Sequence, residues 1–316
     1  MTRKRAWAPS SPSAARASRQ SDVERVIVTC ALTGAQQGKA ANRALPEQPD
    51  EIIAEGLAAW RAGAAILHLH ARDTGGRATG DVAVFRRIVE GLRAAGCDAI
   101  LNLTTGGAVA GLPLEDRLKV VPELRPEIAS FSVGGGSLLG RYDPAAGRWV
   151  NDRFVPLFAS HAALERVARI FRDHGTRPEL EVYHAGMLNN LRDLRARGVL
   201  AEPLLVNFVM GIPGEVTDAT VRNLVHLVDG IPPDAVWLVS AIGARNHFRM
   251  LGAVLAMGGH VRVGLEDNLY VSPGRLAQGN GEIVEKAVRI VRDIGFEPAS
   301  SGEARVILKL TGRNEP

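Results

Sequence analysis

Ala65-Ile66-Leu67-His68-Leu69-His70-Ala71-Arg72-Asp73 alternates two histidines with large aliphatic residues at the spacing of a β-strand. Residues i and i+2 of a strand project from the same face, so His68 and His70 present two imidazoles side by side while Ile66, Leu67 and Leu69 pack. The run is apolar almost throughout, as in a parallel strand covered on both faces. Amphipathic helical patterns flank it, Pro49 to Ala62 before and Val82 to Ala95 after. The run is thus the strand of a β-α unit, and its meaning depends on how often that unit recurs.

It recurs eight times. The strand candidates are Val26 to Leu32, Ala65 to His70, Ala99 to Thr105, Ile128 to Val133, Glu179 to His184, Leu204 to Met210, Val236 to Ile242 and Val261 to Leu265. Helical patterns at Leu114 to Val121, Leu157 to His174, Leu188 to Arg197, Asp218 to Val228, His247 to Met257 and Gly281 to Ile294 join the two already named. Alternating β and α units with apolar strands predict a parallel sheet with helices outside, and eight of them predict a (β/α)8 TIM barrel. Such a barrel takes about 250 residues, so residues 23–312 are expected to form a single catalytic domain behind a disordered tail at 1–22. A doubly wound open sheet would carry Gly-x-Gly-x-x-Gly after a strand, and that spacing is absent. Gly134-Gly135-Gly136-Ser137 reads as a turn, with a phosphate cradle as the weaker reading. Arg141 to Arg153 is a long non-periodic insertion, of the kind that serves as a lid or a subunit contact.

The formal charge of +4 belongs to the tail: Arg3, Lys4, Arg5, Arg16 and Arg19 meet no acid in the first twenty residues, and without them the balance is −1. A nucleic-acid-binding surface is therefore not expected. No run approaches about 18 apolar residues, so neither is a membrane span. Cys30 and Cys97 form no Cys-x-x-Cys, which argues against a cysteine zinc site and a disulfide framework and fits a reducing cytoplasm. The tail lacks the apolar segment of a secretory signal.

A barrel gathers its active site at the C-terminal ends of its strands. There the sequence places Thr33, Gln36 and Gln37 after strand one, His68 and His70 on strand two, and Thr104 and Thr105 on strand three. Ser130 and Ser132 follow on strand four, Glu181, Tyr183 and His184 on five, Asn207 on six, and Arg262, Glu266 and Asp267 at eight. Strand eight neighbours strand one in a closed barrel, which makes Glu266 the candidate third ligand beside His68 and His70. Two His and one Glu with an open position is a catalytic zinc arrangement. Asp267 is then a candidate general base and Arg262 a candidate carboxylate partner. The bland alternative for Glu266-Asp267-Asn268 is an acidic helix cap.

Several runs together carry a resemblance: Val28-Thr29-Cys30-Ala31-Leu32-Thr33-Gly34-Ala35, Ile66 to Asp73, Asn102-Leu103-Thr104-Thr105-Gly106-Gly107, Pro178-Glu179-Leu180-Glu181-Val182-Tyr183, and Gly258 to Asn268. In order, from about Val26 to Leu310, the chain resembles the β-keto acid cleavage enzymes, whose founding activity is 3-keto-5-aminohexanoate cleavage. The resemblance implies a zinc-dependent barrel that condenses a 3-keto acid with acetyl-CoA to give acetoacetate and a new acyl-CoA. It implies His68, His70 and Glu266 as metal ligands, and Asp267, held by Arg262, as the base at C2 of the keto acid. By the same resemblance Glu181 is the acidic residue of the site, while Thr104, Gly107 and Ser130 lie beside the substrate. A homotetramer is implied as well.

One departure bears on substrate. Gln36 stands where the amino-substrate enzyme carries a glutamate for the ammonium, and a neutral amide supplies no such ion pair. The longer insertion also departs from the family; its Arg141, Arg148 and Arg153 suit CoA phosphates or a solvated face. Two other functions fit parts of the pattern. A metal-dependent amidohydrolase-like enzyme would place the His pair on strand one and further His on strands five and six, where this chain has Asn207 on six. A non-catalytic metal-dependent binding protein would have no use for Asp267 and Arg262 beside the ligands.

Overall fold

The eight apolar runs become eight strands: β1 Val28–Ala31, β2 Ile66–Leu69, β3 Ile100–Leu103, β4 Ile128–Ser132, β5 Arg177–Val182, β6 Leu205–Met210, β7 Val236–Ala241 and β8 His260–Val263. Each pairs in parallel with its sequence neighbours, and β8 closes the ring on β1 with Val261 opposite Val28 and Arg262 opposite Thr29. The expected (β/α)8 barrel is the observed fold. The structure is a computed structural model that describes residues 23–106, 111–138, 140–150, 154–155 and 160–310. The 1–22 tail therefore lies outside the described residues.

Helices form where the apolar stripe and the caps agree. In α1 (Pro49–Arg61), Pro49 occupies the first turn and Gln48 and Glu51 exchange capping bonds; in α2 (Val82–Ala94), Asp81 accepts from Ala83 N–H, and Phe85, Ile88 and Leu92 face the barrel. One helix expected at Leu114 to Val121 is instead two, α3 (Leu114–Leu118) and α4 (Val120–Leu124). Pro122 has no N–H to return to Leu118, so a continuous ladder fails, while in the first turn of α4 that N–H is not needed. Next come α5 (His161–Asp173), capped by Ser160, α6 (Met187–Ala196), α7 (Val221–Val228), capped by Thr220, α8 (His247–Ala256) and α9 (Asn280–Asp293). The insertion after β4 is not structureless: Arg141–Asp143 pairs antiparallel with Arg148–Val150, putting Tyr142 opposite Trp149.

The barrel interior is layered. At the N-terminal end Ile27, Ile66, Ile100, Ile128, Leu205 and Leu238 pack together, and a helix absent from the sequence reading, α10 (Ser301–Ile307), plugs that end with Ala304 and Leu308. Above this floor lies a buried polar layer of Asn102, Glu179, Asn207, Ser240 and Arg262. Buried polar groups are mostly paired: Asn102 Nδ2 and Asn207 Nδ2 donate to the two oxygens of Glu179 at 2.9 and 3.1 Å, and Ser240 donates to Asn207 at 2.9 Å, while Asn102 Oδ1 and Arg262 NH1 have no hydrogen-bond partner among the described residues. Burial still pushes the Glu179 carboxyl up to about 7.

Past β8 the chain turns sharply at Gly264, whose φ is +139°. A Cβ there would overlap the Ala31 carbonyl oxygen, backbone that cannot retreat without disturbing β1. Gly264→Ala is therefore expected to lower the unfolding free energy by at least about 3 kcal/mol, from overpacking plus a left-handed backbone. Urea denaturation checks this; a loss below about 1 kcal/mol would refute the close approach.

Candidate metal centre and active site

The turn at Gly264 delivers two carboxylates to the barrel mouth. Glu266 N–H donates to Ala31 O at 3.2 Å, and the N–H groups of Asp267 and Asn268 return to Gly264 O. Across the mouth, His68 projects inward from β2 and His70 follows one residue past its end. The His68 and His70 Nε2 atoms are 3.2 Å apart; Glu266 Oε1 lies 3.4 Å from His70 Nε2 and Oε2 lies 3.8 Å from His68 Nε2. Two donors each about 2.0–2.1 Å from one tetrahedral cation are separated by about 3.3 Å, so the three separations suit a shared ion. Buried Glu266 Oε2 has no hydrogen-bond donor, and two neutral imidazoles facing each other through nitrogen share at most one proton. Both features are answered by a cation. Burial drives the His68 imidazole well below its usual range, toward the neutral form that ligates metals. Burial opposes ionisation of Glu266, but His70, Arg262 and His68 outweigh it and hold the carboxyl well below the usual range.

Arg262 connects this cluster to the polar layer below. Its Nε and NH2 groups donate to the two oxygens of Asp267, both at 3.0 Å; NH2 also lies 3.1 Å from Glu266 Oε1, and NH1 lies 3.8 Å from Glu179 Oε1. This bidentate grip fixes the plane of the Asp267 carboxylate. Three acids around one buried guanidinium raise its pKa despite the cost of burying the charge.

A cavity of about 250 Å³ opens over the cluster, and Asp267, Arg262, Glu266, His68 and His70 all line it. Its donors and acceptors suit carbonyl and carboxylate chemistry: a candidate cation site, a fixed carboxylate on the residue next to a ligand, and the hydroxyls of Thr104, Ser132 and Tyr183. The family model described as beta-keto acid cleavage enzyme matches residues 25–310.

The chain belongs to the β-keto acid cleavage enzyme family. It is 36% identical over 288 residues to the 3-keto-5-aminohexanoate cleavage enzyme of Fusobacterium nucleatum, covering 91% of this chain and 99% of that one. It is 34% identical over 303 residues to the 3,5-dioxohexanoate:acetyl-CoA acetone transferase of Paraburkholderia graminis, covering 91% and 96%. The ligand-free structure of ObcA superposes with a TM-score of 0.69 at 23% identity, covering 84% of this chain and 66% of that chain, a likeness of fold.

In this member of the family, the residues singled out from sequence fall in different places. Thr104 lines the cavity, its hydroxyl accepting from Gly106 N–H at 2.9 Å, and Gln36 stands exposed at the rim. Glu181 also lines it; Oε2 accepts from Ser132 at 2.7 Å and from Tyr183 at 3.1 Å, and burial raises its pKa. Ser130 instead ties β4 to the end of β3, accepting from Thr105 N–H at 3.1 Å, and Ser132 two residues on is the serine in the cavity wall. Gly107 lies outside the described residues, as does Arg153. Arg148 is exposed on the hairpin.

Two residues near the centre carry no role in the sequence reading. Glu179, below Arg262, was overshadowed by Glu181; both face inward by strand period, and only depth separates them. Arg72 is the other. Its NH2 group donates to the carbonyls of Thr33, Gly34 and Gln37 at 3.0, 2.9 and 2.5 Å, and NH1 donates to Gly76 O at 3.0 Å. The loop after β1 is thus curled around one buried guanidinium, with Gly34 pressed against Glu266. Arg72→Met strands the buried carbonyls of Thr33 and Gly34 and the half-buried one of Gln37, and is expected to cost about 2–3 kcal/mol, at roughly 1 kcal/mol for each. Arg72→Lys should recover part of it; equal stability of wild type and Met variant by urea denaturation would refute the clamp.

Proposed function

We propose that this protein condenses a 3-keto acid with acetyl-CoA, releasing acetoacetate and a new acyl-CoA, with a divalent metal, zinc by donor type, held by His68, His70 and Glu266. The observation that carries the reading is the junction of that donor triad with a bidentately held Asp267 in one cavity. The acetyl-CoA and keto acid specificities named for the relatives support it. When bound, the metal supplies Lewis acidity that polarises the keto acid's oxygens.

The protein's own groups do the rest. Asp267, aligned by Arg262, takes the C2 proton of the keto acid, and the carbanion attacks the acetyl thioester carbonyl. The CoA thiolate released then adds to the former keto carbon, and cleavage of its bond to C2 gives the acyl-CoA and, after C2 regains a proton, acetoacetate. Arg262 neutralises charge that accumulates beside Asp267 and Glu266. Thr104 and Ser132 offer hydroxyls to the substrate oxygens, and Glu181, backed by Tyr183, is a second acid in the wall. Gln36 at the rim offers a neutral amide. Incubating the purified protein with a 3-keto acid and acetyl-CoA, and following acetoacetate and acyl-CoA together, tests the proposal; formation of neither product from any keto acid would sink it. Among the described residues no helix is long and apolar enough to cross a membrane.

A further inference from the structure

The cavity has two unlike halves. On the side of β1, β2 and β8 it is polar and charged: His68, His70, Arg262, Glu266 and Asp267. On the side of β5, β6 and β7 it is walled by Tyr183, Val209, Ile212 and Ile242, and Leu138, between β4 and the insertion, lines it as well. This apolar half is rigidly built. Leu138 forms a bridge with Gly214; Gly211 N–H donates to Thr217 O, Thr217 N–H to Tyr183 O, and Ile242 N–H to Met210 O, each at 2.9 Å.

We infer that the keto acid accepted here carries an uncharged hydrocarbon chain, lodged against Leu138, Tyr183, Val209, Ile212 and Ile242. The inference rests on the keto acid reading above and names its substrate class. The half that would hold the metal would take the carboxylate and ketone end, so the chain would extend along the rest of the cavity. Toward the loop after β1 the cavity is lined by Thr33, Gly34, Ala35, Gln36 and Gln37, none of which carries a formal charge, and Gly34 is pressed close against Glu266. The apolar direction is the wall formed by Leu138, Tyr183, Val209, Ile212 and Ile242. Among the described residues one formal charge stands in that wall, Glu181, and its Oε2 already accepts from Ser132 and Tyr183. An ammonium or carboxylate at the chain end would exchange water for isoleucine and valine, a transfer polar groups resist without a dedicated partner. Methylenes make the same transfer favourably.

The test uses the metal-loaded protein with acetyl-CoA and a series: 3-oxopentanoate, 3-oxohexanoate and 3-oxooctanoate, with the 5-ammonio and 6-carboxylate analogues of the six-carbon acid. Each added methylene is expected to raise kcat/KM about fourfold until the wall is filled. Both charged analogues should fall at least about tenfold below 3-oxohexanoate. Turnover led by a charged chain, or a flat series, overturns this assignment and leaves the parent reading standing; absence of turnover with every acid overturns both. Ile212→Asn, and the milder Ile242→Ala, separate the chain from the thioester. If the wall holds the chain, KM for 3-oxohexanoate rises about tenfold and KM for acetyl-CoA does not; the opposite split assigns the wall to the thioester and overturns the inference. Thermal melts of both variants establish that they are folded.

Discussion

Asp267→Asn is expected to lower kcat by about 10³-fold while the protein keeps its full metal content, within the roughly 10²- to 10⁴-fold range that a positioned acid or base contributes. The substitution is nearly isosteric, and the amide still offers an oxygen to one arm of Arg262. What it removes is the proton-accepting charge. Glu266 stays in place, because its position is set by its own N–H bond to Ala31 and by the turn at Gly264, neither of which involves the Asp267 side chain. Metal analysis and turnover should therefore dissociate, and this separates a base from a mere neighbour of the ligands. Arg262→Lys is a useful companion: a single ammonium cannot reproduce the two parallel 3.0 Å bonds, so it should reduce kcat with Asp267 intact. A fully active Asp267→Asn protein would remove Asp267 from the proposed chemistry.

The parts of this site that were legible in sequence are those governed by local period or by barrel closure. His68 and His70 declare themselves because a strand repeats every two residues, and Glu266 because eight units bring the last strand back to the first. The same logic yields the eight strands, with boundaries displaced by a residue or two: β2 ends at Leu69, leaving His70 just beyond it. What the sequence conceals depends on depth or on backbone groups. Glu179 and Glu181 share a face and a residue type; one sits in the hydrogen-bonded layer beneath Arg262 and the other in the cavity wall. Ser130 and Ser132 divide in the same way. Arg72 binds carbonyls of a loop 35 to 39 positions earlier, and carbonyl oxygens leave no trace in residue identity. The α10 plug did leave a signal, Ser300 followed by Glu303 as a capping box, in a stretch too short to show a clear apolar period.

The interior also links the candidate metal site to the fold. A wholly apolar barrel would leave Arg262 without partners below, whereas Asn102, Glu179 and Asn207 form a hydrogen-bonded polar layer with Glu179 Oε1 3.8 Å from its NH1. Arg262 is thereby held from beneath while it holds Asp267 and approaches Glu266 above. The ligand carboxylate and the proposed base are rigid for one reason, and substitutions in the polar layer should be felt in both.

His68→Ala is expected to reduce bound metal from about one equivalent to less than about a tenth, and turnover below about one-thousandth, since changes to groups merely supporting a ligand already cost roughly 10- to 100-fold in affinity. His70→Ala and Glu266→Gln should follow. The triad's geometry makes this sharper than a generic loss of activity. Without a cation, His68 and His70 can be held at 3.2 Å by one shared proton, and a purely structural pair of that kind would show no metal dependence. A metal-binding triad predicts linkage: a ligand present at about a thousand times its dissociation constant stabilises the folded state by about 4 kcal/mol, so chelation should lower the melting temperature and re-addition restore it. In His68→Ala that response to chelator should vanish, even though the variant itself melts lower from the cavity it leaves. Wild-type protein that carries no metal, or that melts identically with and without chelator, would reduce the two histidines to a buried hydrogen-bonded pair and take the proposed chemistry with them.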